Sequence, residues 1–178
     1  WLVGASHAWS KRLFAAFGPM RAGAHAEDQI MLLRALLLGG ATTLAEPLVR
    51  WRRGGLSAKR RAPDLATLRL QMAQGNRATL AAIEQHLADA QQAGRGEEIA
   101  AALAAPLARA RFTAAMLEPS PRGSTWRRFL QATGVPLDYR LRLLGYTTLP
   151  WLIDPLIRTK ARLRIARHGD AAGRPLQD

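Results

Sequence analysis

The chain has 178 residues, with 26 lysines and arginines against 13 acidic residues and no cysteine, and its formal net charge at pH 7 is +13. This length suffices for one domain with its own hydrophobic core, or for a small domain with an extension. The missing cysteines exclude thiolate chemistry, cysteine-ligated zinc and a disulfide framework. The positive charge favours anionic partners such as nucleotides, phosphorylated lipids, nucleic acid or a membrane surface.

Strand and helix signals alternate in the first sixty residues. The spacing of apolar residues predicts a short buried strand over residues 1–5 and helices over 11–17 and 26–38. Two further short strands are predicted over 41–45 and 48–53, and a pair of glycines then turns the chain. This alternation predicts the α/β class for this part of the chain.

Local signals define the ends of the two predicted helices. Ser10 can cap the first helix, and Gly18-Pro19 stops it. Gly39-Gly40 supplies the C-terminal stop of the second. The predicted buried stripe of the second helix consists of Ile30, Leu33, Leu37 and Leu38.

Downstream of residue 59 the sequence is rich in alanine and predominantly helical. The predicted helices cover residues 65–87, 97–117, 124–134 and 137–167. Interruptions are expected at Gly75-Asn76, Gly145 and Pro150, and Pro106 is expected to bend its helix or to end the first half of it. No run reaches the ~18 uninterrupted apolar residues of a membrane span.

Five sequence blocks stand out in the first third of the chain. They are residues 4–14 (GASHAWSKRLF), 17–19 (FGP), 26–28 (AED), 34–39 (RALLLG) and 46–55 (EPLVRWRRGG). In order and spacing these blocks resemble the second half of the catalytic domain of family 2 glycosyltransferases, which have the GT-A fold. Together with the helices predicted downstream, the resemblance leads us to expect a mostly helical α/β protein. A partial GT-A domain would occupy residues 1–58, and a basic α-helical extension would occupy 59–178.

The same resemblance implies an activity. Family members transfer a sugar from a nucleotide-sugar to an acceptor hydroxyl with inversion at the anomeric carbon. Their acidic pair lies beside the acceptor, which makes Asp28 the implied general base and Glu27 its neighbour. A carboxylate in the first turn of a helix is favoured in its charged form, as a base requires. Acids that only complement the helix dipole would show the same pattern, so both interpretations stay open.

Further side chains are expected at the substrate. Arg52 and Arg53 can meet a diphosphate, because guanidinium groups fit phosphate oxygens in pairs, and a solvated basic edge strand is the alternative. Ser6 and His7 follow the first predicted strand, where family members line the acceptor pocket. Trp51 can stack on a sugar or a base, although such aromatics are often core residues. Many family members carry a histidine after the arginine pair, and here a glycine follows instead.

The donor side of such an enzyme is missing from the sequence. No Asp-x-Asp occurs in the chain. In the family this motif holds a divalent metal, Mg²⁺ or Mn²⁺, so we expect that cofactor only in a longer enzyme and predict no metal ligand here. Because the chain opens at Trp1 within a predicted strand, it is expected to be the C-terminal part of a longer enzyme, inactive in isolation. The resemblance implies a bacterial enzyme of cell-surface glycan synthesis. The expected location is the cytoplasm or the inner face of the cell membrane.

The helical extension offers a second hypothesis for the function. Residues 122–167 contain ten lysines and arginines against Asp138 and Asp154, with tryptophans and leucines between them. Such a segment can lie on an anionic membrane, which would suit a lipid-linked or glycan acceptor, or it can be an ordinary helical pack with a solvated basic face. A non-catalytic module that binds a membrane surface or nucleic acid is therefore the alternative. Scattered arginines and the lack of any known nucleic-acid signature argue against nucleic acid.

Overall fold

The computed structural model describes residues 7–24, 27–46, 48–49, 62–119 and 121–169, without the side chains of residues 122 and 164–169. Of these residues, 74% are helical, and none is in a strand. The helices of this part are α1 (Lys11–Phe17), α2 (Glu27–Leu37), α3 (Leu65–Gln92), α4 (Gly96–Leu117), α5 (Arg122–Gln131), α6 (Leu137–Thr148) and α7 (Pro150–Gly169).

The predicted α/β class with a partial GT-A domain is wrong, because the described residues form a helical protein. Residues 41–46 are an exposed loop with a bend, and 48–49 are not in a strand either. A strand must pair its backbone groups with a neighbour, and no other strand in the described part of the chain offers such pairing. The predicted strand over 1–5 and the remainder of the one over 48–53 lie outside the described residues.

The predicted limits of the first two helices are confirmed to within one residue. The Ser10 hydroxyl accepts the N–H of Arg12 at 3.3 Å and caps α1. At the end of α2, Gly39 and Gly40 have φ angles of 120° and 114°, and the Gly40 N–H donates to the carbonyl of Ala35 at 2.8 Å. Glycine adopts this left-handed region at little cost, which explains why the helix ends there.

The buried face of α2 differs from the predicted stripe. The buried residues are Ile30, Met31, Arg34 and Ala35. Of the predicted stripe only Ile30 is fully buried, whereas Leu38 is 43% exposed. A charged residue therefore occupies the middle of the buried face, and it needs a buried partner.

Helices do not end at three of the expected positions, and α6 runs through one of them, Gly145. Helix α3 runs through Gly75 and Asn76, and the side-chain amide of Asn76 donates to the carbonyl of Ala110 at 3.0 Å. Helix α4 continues through Pro106, although a proline removes one backbone hydrogen bond. The expected break near Pro150 is confirmed, since α6 ends at Thr148 and α7 begins at Pro150.

The helices form two compact units. Unit 1 comprises the described residues of 1–58 and 75–111, and unit 2 comprises those of 59–74 and 112–178. Helices α3 and α4 each contribute to both units. Part of the region predicted as an extension therefore belongs to the same unit as α1 and α2.

Unit 2 is organised around the start of α3 and the packing of α5, α6 and α7. Helix α6 packs against both α5 and α7. The Asp64 carboxylate accepts the N–H of Thr67 at 2.7 Å, and the Asp154 carboxylate of α7 accepts the N–H of Leu65 at 2.8 Å. These backbone hydrogen bonds are the main reason that the pKa values of both carboxyl groups lie below their ordinary range. Asp154 also pairs with Arg158 at 2.6 Å.

One helix in the described part of the chain, Gly96–Leu117, is long and apolar enough to cross a membrane by length and composition. Its most apolar window has a mean hydropathy of 1.2 and is 22% buried. Helices packed inside proteins can meet the same criteria, so this property alone assigns no membrane role.

Candidate functional site

The predicted acidic pair opens α2. Glu27 and Asp28 both lie in the first turn of the helix. Glu27 is exposed and Asp28 is half-buried. An Asp28 carboxylate oxygen accepts the N–H of Gln29 at 2.8 Å. Both acids lie where a negative side chain complements the helix dipole.

The centre of α2 is held by a buried ion pair. The Arg34 side chain is 0% exposed and that of Asp89, on α3, is 2% exposed. Arg34 Nε donates to one Asp89 oxygen at 2.7 Å, and Nη2 donates to the other at 3.1 Å. Nη1 donates to the carbonyl of Gly18 at 2.9 Å. Every guanidinium nitrogen therefore has an acceptor, as a buried charge requires.

A second layer of hydrogen bonds extends this pair to the loop before α2. The Gln85 side chain donates to Asp89 at 2.8 Å, and its carbonyl oxygen accepts the backbone N–H of Arg21 at 2.8 Å. Arg21 also pairs with Glu84 at 3.0 Å on the surface. Both the helix that begins with the acidic pair and the loop that leads to it are thus fastened to α3. This hydrogen-bond network holds α2 and the loop before it in place against α3.

An apolar cluster supports α2 on another side. Leu13 of α1 packs with Met31 and Ala35 of α2, and Trp9 covers them. His7 contacts Trp9 edge to face, with 4.7 Å between the ring centroids. Among the described residues, neither buried ring nitrogen of His7 has a hydrogen-bond partner. The structure therefore places His7 on the cluster that supports α2, and its contact with an acceptor stays a prediction.

The other predicted substrate residues cannot be placed. Ser6, Trp51, Arg52 and Arg53 lie outside the described residues. Within the described ranges no group of three or more His, Asp or Glu side chains is arranged to hold a metal ion. No described residue is therefore assigned to the Mg²⁺ or Mn²⁺, which the family resemblance implies only for a longer enzyme.

The buried network was not predicted from the sequence. The one available signal was an arginine four residues after Ile30, on an otherwise apolar helix face. A charge at such a position needs a partner, but Asp89 lies 55 residues away on another helix. Nothing in local sequence spacing identifies a partner at that distance.

His86 follows Gln85 on α3 and is half-buried. Burial lowers its pKa below the ordinary value of about 6.5, and the nearby negative charge of Asp89 opposes this effect. Its Nδ1 is buried without a partner among the described residues. The ring is therefore favoured in its neutral form in the folded protein.

Two open cavities lie away from the acidic pair. The larger, about 710 Å³, is lined by Gln91, Gly94, Arg95, Gly96, Glu97, Glu98 and Ala100. The smaller, about 360 Å³, is lined by Leu65, Ala66, Arg69, Pro150, Trp151, Asp154, Pro155 and Arg158. The first lies at the turn between α3 and α4, and the second lies where α7 meets the start of α3.

Comparisons with known proteins found no relative. The sequence matches no protein-family model, no curated protein and no solved structure at a significant level. The function must therefore be inferred from the sequence blocks and from the chemistry of the side chains.

Proposed function

We propose that the chain belongs to an inverting glycosyltransferase in which Asp28 is the general base. The observation that supports this most is a half-buried aspartate in the first turn of α2, inside a set of sequence blocks that resembles family 2 glycosyltransferases. The blocks span about residues 1–57, and the proposal extends no further along the chain than that.

The proposed step is a single displacement. The acceptor oxygen forms a bond to the anomeric carbon as the bond from that carbon to the phosphate oxygen breaks. The acceptor proton passes to the Asp28 carboxylate, and the nucleotide leaves with the electrons of the broken bond. A general base must lie within ~3 Å of the oxygen that it deprotonates, so its position must be held closely.

The contacts around α2 suit that requirement. Asp28 lies six residues before Arg34, whose side chain is fixed by Asp89 and by the carbonyl of Gly18. The loop before α2 is fastened through Arg21 and Gln85. In this proposal Arg34 and Asp89 are positioning residues, which contact neither the acceptor nor the donor.

Other residues are proposed to bind the sugar donor. Arg52 and Arg53 are proposed to bind the diphosphate, and the acceptor is a glycan or a lipid-linked sugar. A divalent metal would belong to the donor-binding part of the enzyme.

The test compares two aspartates that both lie in the first turn of a helix. Asp28→Asn and Asp138→Asn are introduced separately into the complete gene product. Nucleotide release is measured with UDP-glucose, UDP-N-acetylglucosamine, GDP-mannose and dTDP-rhamnose, in the presence of a lipid and glycan extract that supplies the acceptor hydroxyl. Loss of a general base lowers the rate by about 10²- to 10⁴-fold. We expect that loss for Asp28→Asn only, because Asp138 is an exposed first-turn acid of α6 with a weak partner at 3.6 Å.

The control separates catalysis from helix stability. Removing either acid weakens its interaction with the helix dipole by about 0.3–1 kcal/mol, so both variants should lose similar stability. If the two variants had equal rates, Asp28 would only stabilise the helix and would not be the general base. If the complete gene product releases no nucleotide from any donor, the proposed activity itself is wrong.

A further inference from the structure

Helix α7 has apolar residues on two sides. Ile153, Ile157 and Ala161 are half-buried, and Ile153 lies against α6, where a Cβ added to Gly145 would be 3.9 Å from Ile153 Cδ1. These residues follow each other at intervals of four and form the packed side of the helix. Asp154 lies next to them and reaches the start of α3.

The exposed side of α7 carries a second apolar stripe, formed by Leu152, Leu156 and Leu163. These side chains are 46%, 61% and 58% exposed. At 100° per residue their directions lie within about 40° of one another around the helix axis. Single exposed leucines are ordinary, but three lie here on one side of the helix, with Thr159 between Leu156 and Leu163. The exposed side of α7 is therefore partly apolar, in addition to the basic face that the sequence predicts.

Cationic side chains border the leucine stripe. Lys160 and Arg162 lie on opposite sides of it, and both are exposed. Trp151 precedes the stripe and is 73% exposed. Trp151 also lines the cavity of about 360 Å³, together with Arg69 and Arg158. Leucines at the centre, cations at the sides and a tryptophan at one end are the composition of helices that lie in a membrane interface.

The charge of the chain indicates which surface the stripe meets. A second copy would bring another net charge of +13 against the first, which disfavours close association. An anionic bilayer instead attracts the flanking cations and accepts the leucines. The charge and the apolar stripe therefore both favour the same partner.

We propose that the leucine stripe of α7 docks on a membrane surface rich in anionic phospholipid. The leucines enter the boundary between headgroups and acyl chains, and Lys160 and Arg162 remain at the level of the phosphates. This inference uses contacts within unit 2 and does not depend on the proposed glycosyl transfer. If both hold, docking would bring the enzyme to the surface where a lipid-linked acceptor is found.

Vesicle binding tests the docking proposal. The chain is mixed with vesicles of equal parts phosphatidylglycerol and phosphatidylcholine, or of phosphatidylcholine alone, and the bound fraction is measured by sedimentation. We expect binding to the anionic vesicles and its loss at high salt. Leu152→Gln/Leu156→Gln/Leu163→Gln should weaken binding by roughly 100-fold, since each half-inserted leucine contributes about fivefold.

The matched control changes leucines of similar exposure elsewhere. Leu36, Leu44 and Leu48 are 51%, 67% and 68% exposed, and Leu36→Gln/Leu44→Gln/Leu48→Gln should bind the vesicles like the wild type. Lys160→Gln/Arg162→Gln should weaken binding by roughly 25-fold, since each cation near an anionic surface contributes about fivefold. Circular dichroism checks that each variant remains folded.

Three results would overturn the proposal. The first is a wild-type chain that does not bind anionic vesicles, and the second is a stripe variant that binds like the control. The third is a wild-type chain that is dimeric by analytical ultracentrifugation and becomes monomeric in the stripe variant, which would make the stripe an interface between two copies.

Discussion

Replacement of Asp89 by asparagine removes the counter-charge of the buried Arg34. The variant keeps the shape of the side chain but loses two charge-assisted hydrogen bonds, of 2.7 and 3.1 Å, in a site where both side chains are at most 2% exposed. Each such bond contributes about 1.5–3 kcal/mol, and an asparagine amide turned toward the guanidinium adds a repulsive contact. We therefore expect Asp89→Asn to lower the free energy of unfolding by about 3–5 kcal/mol.

Urea unfolding followed by circular dichroism measures this loss, and a double-mutant cycle assigns it to the pair. Arg34→Met should be similarly destabilising, because it leaves the Asp89 carboxylate buried with Gln85 as its remaining described partner. Arg34→Met/Asp89→Asn should recover about 2 kcal/mol or more relative to the sum of the two single changes, since no unpaired charge remains buried.

The exposed pair of Arg142 and Asp138 provides the control for the buried one. These side chains are 55% and 76% exposed, and Asp138→Asn should cost less than about 1 kcal/mol. The reasoning would be refuted if Asp89→Asn cost no more than Asp138→Asn. It would also be refuted if the two changes at Arg34 and Asp89 were additive.

Two further predictions concern stability. Gly40→Ala should destabilise the protein by about 1–2 kcal/mol, because Gly40 has a φ of 114°, whereas Gly75→Ala within α3 should stabilise it by about 0.5–1 kcal/mol. Thermal unfolding of the two variants checks these opposite signs, and equal signs would contradict the argument. The second prediction concerns pH: since burial lowers the pKa of His86, the unfolded chain binds the proton more readily than the folded protein. The stability contributed by neutral His86 is present above about pH 6.5 and is lost as the pH falls, and urea midpoints should show a smaller loss in His86→Gln. An unchanged pH dependence in that variant would count against a buried neutral ring.

Short-range signals predicted much of the helical structure. Ser10 and the glycines at 18, 39 and 40 determine helix ends through their own backbone and side-chain bonds, so α1 and α2 were predictable to within a residue. The predicted strand over 41–45 is wrong, because residues with β-sheet propensity form a strand only where a second strand pairs with them. The turn predicted at Gly75-Asn76 is also wrong, because α3 continues through both residues. The side-chain amide of Asn76 donates to the carbonyl of Ala110.

The candidate site could likewise be predicted only in part from the sequence. The acidic pair could be located from the sequence, because its position at the start of a helix is a local property. The Arg34–Asp89 pair could not, because its partners are 55 residues apart and meet only when α2 packs on α3. The sequence indicated that residues 122–167 can lie on a membrane, but it did not show which apolar residues of α7 are exposed. Ile153 packs against α6 and Leu152 is 46% exposed, although both are aliphatic.

The catalytic role of Asp28 is tested most directly by the pH dependence of donor turnover in the complete gene product. With Asp28 as the general base, Asp28→Asn should be slower by about 10²- to 10⁴-fold, and its rate should rise more steeply with pH than that of the wild type as hydroxide replaces the missing base. Asp138→Asn should follow the wild-type profile. An Asp28→Asn variant with the wild-type rate and pH profile would contradict the proposed role.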